Sequence, residues 1–222
     1  MDWFQTETRG ETLLVALSNP PYNSLHADLF DEGSAFLAEL AAAPPKGGVV
    51  LTGEGADFTR GMDIKIAASF DEAGADNTRR AINLFCANLH RLPCPLVCAV
   101  NGHSIGAGGI VMLCADWVLS AAGDHRIGLP EAKAGLPFPL VPQAILDHWL
   151  DPVWRRRLAL TSMLLGPDEA VQAGMVDEVV PADQLLERAI AKAAEIAAQP
   201  GFVACKQQLR AKANAEIDAL LS

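Results

Sequence analysis

Three stretches of this chain carry residues whose types and spacing suit chemistry on a polarised oxygen. The first is Asn101-Gly102-His103-Ser104-Ile105-Gly106-Ala107-Gly108-Gly109, where an apolar run over 96–100 breaks and a second apolar run over 110–115 begins. Glycines at 106, 108 and 109 let backbone approach a ligand closely, and the start of a helix leaves several N–H groups unpaired at its positive end. Such a place holds an anion, or an oxygen that becomes one during a reaction. No Lys, Arg, Ser or Thr occurs in 105–110, so the backbone itself would be the binding group. The second stretch, Phe58-Thr59-Arg60-Gly61-Met62-Asp63-Ile64, is another glycine-flanked loop entering a short helix. The third, 128–137, places Glu131 in a Leu129-Pro130-Glu131 sequence.

The elements that must position these groups alternate between short strands and helices, which argues for an α/β fold. Strands are expected over 3–8 and 12–17, joined by an Arg9-Gly10 turn, and over 49–51, 96–100, 117–120, around 126–129 and over 175–180. Helices are expected over 25–42, 78–91, 110–115, 143–150, 153–161, 181–198 and from about 202 to the end, with short ones after Asp63 and after Gly166-Pro167. Residues 71–77 and the proline-rich 130–142 read as loop. No repeat in residue identity is visible.

Composition sets the class. The chain has 222 residues, half of them apolar, and a formal charge of −10. The length suits one sizeable domain, the acidity argues against nucleic acid or an anionic membrane as partner, and no apolar run reaches membrane-spanning length. Five cysteines lack metal-site spacing; Cys94 and Cys98 form a C-x₃-C pair inside a strand with no second cluster. Together with an acidic, polar start that is unlike a secretory signal, this leads us to expect a cytoplasmic protein without a metal.

In this order and at these separations the three stretches resemble the crotonase superfamily, the enoyl-CoA hydratase/isomerase family. The resemblance extends over nearly the whole chain, including the stretch from Gly166-Pro167-Asp168-Glu169 to Val180-Pro181. It implies a spiral of strand-strand-helix turns with the acyl-CoA site in 1–140, and a C-terminal helical region over 141–222 for contacts within a homotrimer or a dimer of trimers. The chain stops about a helix sooner than is typical of the family, from which we expect a more open pocket or one that a neighbouring subunit completes. The substrate would be a coenzyme A thioester, with no other cofactor, its carbonyl oxygen held by the N–H groups of Met62 and Ala107. Losing one such donor typically costs about 2.7–4 kcal/mol of barrier.

The resemblance also locates the acid/base group. Hydratases of the family typically carry two glutamates. The first falls here on Ile110, which cannot move a proton, and the second on Glu131. Hydration is best served by two groups, whereas moving a double bond from C3 to C2 needs one base that takes a proton from C2 and returns it at C4. The single-glutamate pattern resembles the Δ3-Δ2-enoyl-CoA isomerase branch, with Glu131 raised in pKa by an apolar pocket. Phe58, Gly61, Asp63, Ile64, Gly106, Ile110, Pro130 and Leu136 are expected to contact substrate, and Phe138 to help line an apolar acyl pocket. Asp63 has the competing role of helix cap.

Other residues have plainer readings. Asp116 matches a hydrogen-bonding position of the family, and His103, following a strand, reads as a structural or surface histidine. Arg60 is large where the family often has a small residue, so it either contacts a CoA phosphate or points outward. Lys65, Lys133 and Lys206 could meet CoA phosphates, but exposed lysines are the default expectation for all three. Rival functions are a hydratase using Glu131 with an ordered water, and a non-catalytic acyl-CoA-binding subunit in which Ile110 marks a lost site. A nucleotide-binding domain would need an acid about 20 residues after the glycines, and the nearest, Asp124, sits in an Ala122-Gly123-Asp124-His125 turn.

Overall fold

The computed structural model describes residues 2–222. The chain opens with an antiparallel hairpin, β1 (Phe4–Arg9) and β2 (Thr12–Leu17), turned at Gly10 with φ +63°. It continues through α1 (Ala27–Ala42), β3 (Val49–Gly53), α2 (Ile64–Ala67) and α3 (Glu72–His90) to β4 (Leu96–Val100), β5 (Ser104–Ile105) and α4 (Ala107–Leu113). The next elements are β6 (Trp117–Ala121), β7 (Ile127–Gly128), α5 (Glu131–Ala134), α6 (Leu140–Trp149) and α7 (Pro152–Thr161). The last part holds β8 (Leu164–Leu165), α8 (Pro167–Gln172), β9 (Glu178–Val180), α9 (Leu185–Ala197) and α10 (Phe202–Leu221).

A six-stranded sheet runs in the order β1-β2-β3-β4-β6-β9, parallel throughout after the first hairpin. Its central strands β3 and β4 are buried along their whole length. Both faces are covered, as continuous apolar strands of a parallel sheet require. Val50, Val97, Ala99 and Leu119 pack under α9, while Val49, Leu51, Leu96 and Cys98 join the larger core beneath α1, α3 and α4. A second, three-stranded sheet has the order β5-β7-β8.

The spiral positions the site. β4, β5 and α4 form one strand-strand-helix turn, and β6, β7 and α5 form the next. Their long strands pair in the first sheet and their short ones in the second, where Ser104 meets Ile127 and Ile105 meets Gly128. A preceding turn, β3 to α2, contributes only a bridge of Thr59 to Ser104. Each turn therefore leaves the second sheet and enters a helix at the same end of the molecule.

Several expectations need correction. Residues 71–77 are not loop: Asp71 accepts from the Gly74 N–H at 2.8 Å and caps α3, which starts at Glu72. Gly108 and Gly109 lie inside α4, whose first residue is Ala107. Residues 130–142 contain α5 and the start of α6. The last strand begins at Glu178 instead of 175, and β5 and β8 had no counterpart among the expected strands. Lys206 is buried, with its Nζ 2.7 Å from Asp116 and 3.0 Å from the Cys94 carbonyl.

Candidate active site

The ends of the three spiral turns meet around a cavity of about 170 Å³ lined by Met62, Ala107, Ile110, Glu131, Leu136 and Phe138, among others. Sequence dictates how each group arrives. Gly61 and Gly106 both adopt positive φ, +74° and +59°, which only glycine does without strain. Each immediately precedes a candidate amide. Close approach adds a second demand for glycine: a Cβ on Gly61 would lie 2.4 Å from the Ile105 carbonyl and 3.4 Å from the Ala107 nitrogen. Neither the Met62 nor the Ala107 N–H has an acceptor among the described residues. Both residues that carry these free donors line the cavity.

The strand backbone holds this arrangement. Gly106 N–H donates to the Gly128 carbonyl at 2.8 Å and Ile105 N–H to the Thr59 carbonyl at 3.1 Å, tying the turns together just before the two donors. Thr59, fully buried, donates from its hydroxyl to the Asn23 carbonyl at 2.6 Å and accepts from Gly61 N–H at 3.0 Å. These bonds leave the loop at 59–62 little freedom.

Glu131 is the first residue of α5, placed there by Pro130 as cap. Its carboxyl faces the first helical turn of the neighbouring unit: a Cβ on Gly106 would be 3.4 Å from Oε1. Oε2 is buried and has no hydrogen-bond partner among the described residues. Burial pushes the Glu131 pKa up to about 7, since the charged form loses its hydration and no cation is supplied in return. An apolar wall surrounds it, with Ile110 almost completely buried. Among the described residues Glu131 is the only carboxylate lining the cavity. It also borders a second, more open groove of about 580 Å³ toward α6 and α7, near Arg155 and Arg156. A carboxyl poised near neutrality beside two free amide donors can take up a proton from a carbon whose neighbouring carbonyl oxygen those donors hold.

The expected contact residues divide. Gly106, Ile110, Pro130 and Leu136 line the cavity with Met62, Ala107 and Glu131, and Gly61 stands directly behind it. Phe58 is fully buried in the main core. Asp63 points its Oδ1 at the N–H groups of Lys65 and Ile66, a cap on α2 at 2.8 and 3.3 Å. Ile64 opens α2, and its side chain lies outside the described residues. His103 accepts the Arg126 N–H at Nδ1, a structural contact. Asp116 receives Leu96 N–H, Lys206 and Arg210, bonding α10 to the strand before the glycines.

Sequence reasoning missed the α3 wall. Ala75, Thr78, Arg79 and Ile82 line the cavity; their spacing of three and four residues marks one helical face. That signal was present, but the first of these residues fell in a stretch read as loop.

Known proteins share this sequence pattern and fold. Residues 7–221 match the family model described as enoyl-CoA hydratase/isomerase. A Thermus thermophilus protein provisionally named an enoyl-CoA hydratase is 32% identical over 194 residues, 85% of this chain and 76% of that protein. The mouse mitochondrial enoyl-CoA delta isomerase 1 is 30% identical over 195 residues, 83% of this chain and 65% of that protein. Among solved structures, human mitochondrial delta3-delta2-enoyl-CoA isomerase superposes with a TM-score of 0.89 at 24% identity, covering 99% of this chain and 90% of that one. The EchA3 structure from Mycobacterium tuberculosis gives 0.90 at 24% identity, with 99% and 93% covered. The fold is that of these structures, and the chain belongs to the enoyl-CoA hydratase/isomerase family.

Proposed function

We propose that the protein shifts the double bond of a 3-enoyl-CoA to the 2-position, using Glu131 as its single acid/base. The thioester oxygen sits between the Met62 and Ala107 N–H groups, which bind more strongly as the enolate develops. Glu131 removes the C2 proton as carboxylate and, now a neutral acid, returns it at C4. One group suffices because the proton leaves and re-enters on the same side of a planar dienolate. A resident cofactor has no step to perform in this scheme.

The observation that carries the reading is the unshared position of Glu131. It is the one carboxylate among the described residues of the cavity wall, its Oε2 has no partner among them, and Ile110, the position at which the family resemblance implies a second glutamate in hydratases, is a buried apolar residue of that wall. Hydration by Glu131 through an ordered water is the second reading, favoured by the hydratase name of the Thermus relative. An assay of wild-type protein with each substrate separates them. The conjugated-thioester absorbance should rise with a 3-enoyl-CoA and stay constant with a 2-enoyl-CoA; a fall with the latter and no rise with the former would make the protein a hydratase. Silence with both would favour a non-catalytic acyl-CoA-binding subunit.

Assembly and compartment belong to the same proposal. Leu140, Val153 and Leu160 expose apolar side chains on α6 and α7, which supports 141–222 as the contact region of a homotrimer or dimer of trimers. Five free cysteines, four of them buried, suit a reducing compartment such as the cytoplasm. No helix among the described residues is long and apolar enough to cross a membrane.

A further inference from the structure

Arg60 stands in the wall of the cavity, two residues before Met62. Its guanidinium is held on one edge and one face. Nε donates to Asp57 Oδ2 at 2.8 Å, and this carboxylate is itself nearly fully buried and accepts His103 N–H at 3.3 Å. The Tyr22 ring lies 4.3 Å from Cζ, and the Arg60 N–H donates to the Tyr22 carbonyl at 3.0 Å. Neither Nη has an acceptor among the described residues, and the side chain is 46% exposed. A guanidinium fixed at Nε and stacked on an aromatic ring keeps its two Nη groups as a planar fork, the geometry that matches phosphate or carboxylate oxygens. Because the fork is already oriented, a ligand does not have to order it on binding. Neutralising Asp57 alone would not require a planar head; an ammonium would serve.

We propose that Arg60 is a pre-set anion receptor, taking a phosphate or carboxylate group on the substrate away from the reacting carbons. The choice of source rests on the thioester reading above: a phosphate of the coenzyme A arm, or a carboxylate at the far end of the acyl arm. The receptor itself rests on geometry alone, so binding rather than turnover is the proper test.

Calorimetric titrations of wild type, Arg60→Lys and Tyr22→Leu would use three probes: coenzyme A, pantetheine without phosphates, and the glutaryl thioester of N-acetylcysteamine. Arg60→Lys keeps a cation beside Asp57 while removing the fork, and thermal melts check that both variants fold. The expected result is a loss of coenzyme A affinity of about ten- to hundredfold in Arg60→Lys, as for a charged hydrogen-bonded pair, with pantetheine binding unchanged. Tyr22→Leu should give a smaller loss in the same direction. A loss confined to the glutaryl thioester also supports the receptor and assigns it to an acyl carboxylate. Equal weakening of all three probes, or none, would overturn the proposal and leave Arg60 as the partner of Asp57. If wild type binds coenzyme A yet isomerises nothing, it is the Glu131 reading that fails, and the receptor stands.

Discussion

Replacing Glu131 by Gln should make the protein gain stability relative to wild type as pH rises from 5 to 8. The carboxyl goes from an ordinary value near 4.5 to about 7 on folding, so between those values the folded chain holds a proton that the unfolded chain has released. A group raised in this way contributes stability that is complete below the unfolded value and is lost as pH climbs through the folded one. Carrying it from 4.5 to about 7 amounts to about 3 kcal/mol lost at pH 8. Glutamine keeps the shape and never ionises, so it escapes that loss. The amide has fixed costs of its own, since Oε2 has no partner among the described residues, but these do not depend on pH and cancel in the comparison. Urea unfolding of both proteins at pH 5 and pH 8, at one protein concentration because assembly would shift the midpoint, should show the Gln variant gaining about 2–3 kcal/mol relative to wild type between the two. An unchanged difference would refute the desolvated carboxyl and with it the physical basis for a base poised near neutrality.

Other outcomes rest on the same geometry. Activity needing carboxylate should rise about tenfold per pH unit below about 7 and level off above it; a flat kcat/KM between pH 5 and 8 would contradict this. Gly61→Ala puts a Cβ 2.4 Å from the Ile105 carbonyl at φ +74°, so melts should show a loss above about 1 kcal/mol and kcat should fall because the Met62 amide moves. Asp116→Ala leaves Lys206 and Arg210 buried without their carboxylate, and denaturation should report a loss of about 3–5 kcal/mol. A loss under about 1 kcal/mol would mean that water reaches the cluster.

Much of the site was legible because its demands are local. A positive-φ glycine followed by a free amide is written in Gly61-Met62 and Gly106-Ala107, and the strand before the glycines in residues 96–100. The spiral was legible only through the family resemblance, because the three turns share a backbone path, not residue identities, and the two-residue strands β5 and β8 went unread because they exist only where tertiary pairing supplies their partners. Asp71 and Gly74 suggested loop by composition, whereas Asp71 is the cap that starts a nineteen-residue helix. Lys206 is the clearest failure, and Arg210 beside it drew no reading at all. Charged residues near a chain end are normally solvated, and nothing in a helical pattern announces that Asp116, ninety or more residues earlier, will meet them in the interior.

The most direct test is the turnover number of Glu131→Gln with a 3-enoyl-CoA, measured alongside its affinity for that thioester. The expected result is a fall in kcat of about 10²–10⁴-fold, the usual contribution of a positioned acid/base, with binding essentially intact. A variant that still isomerises within a few-fold of wild type would contradict the assignment of proton transfer to Glu131.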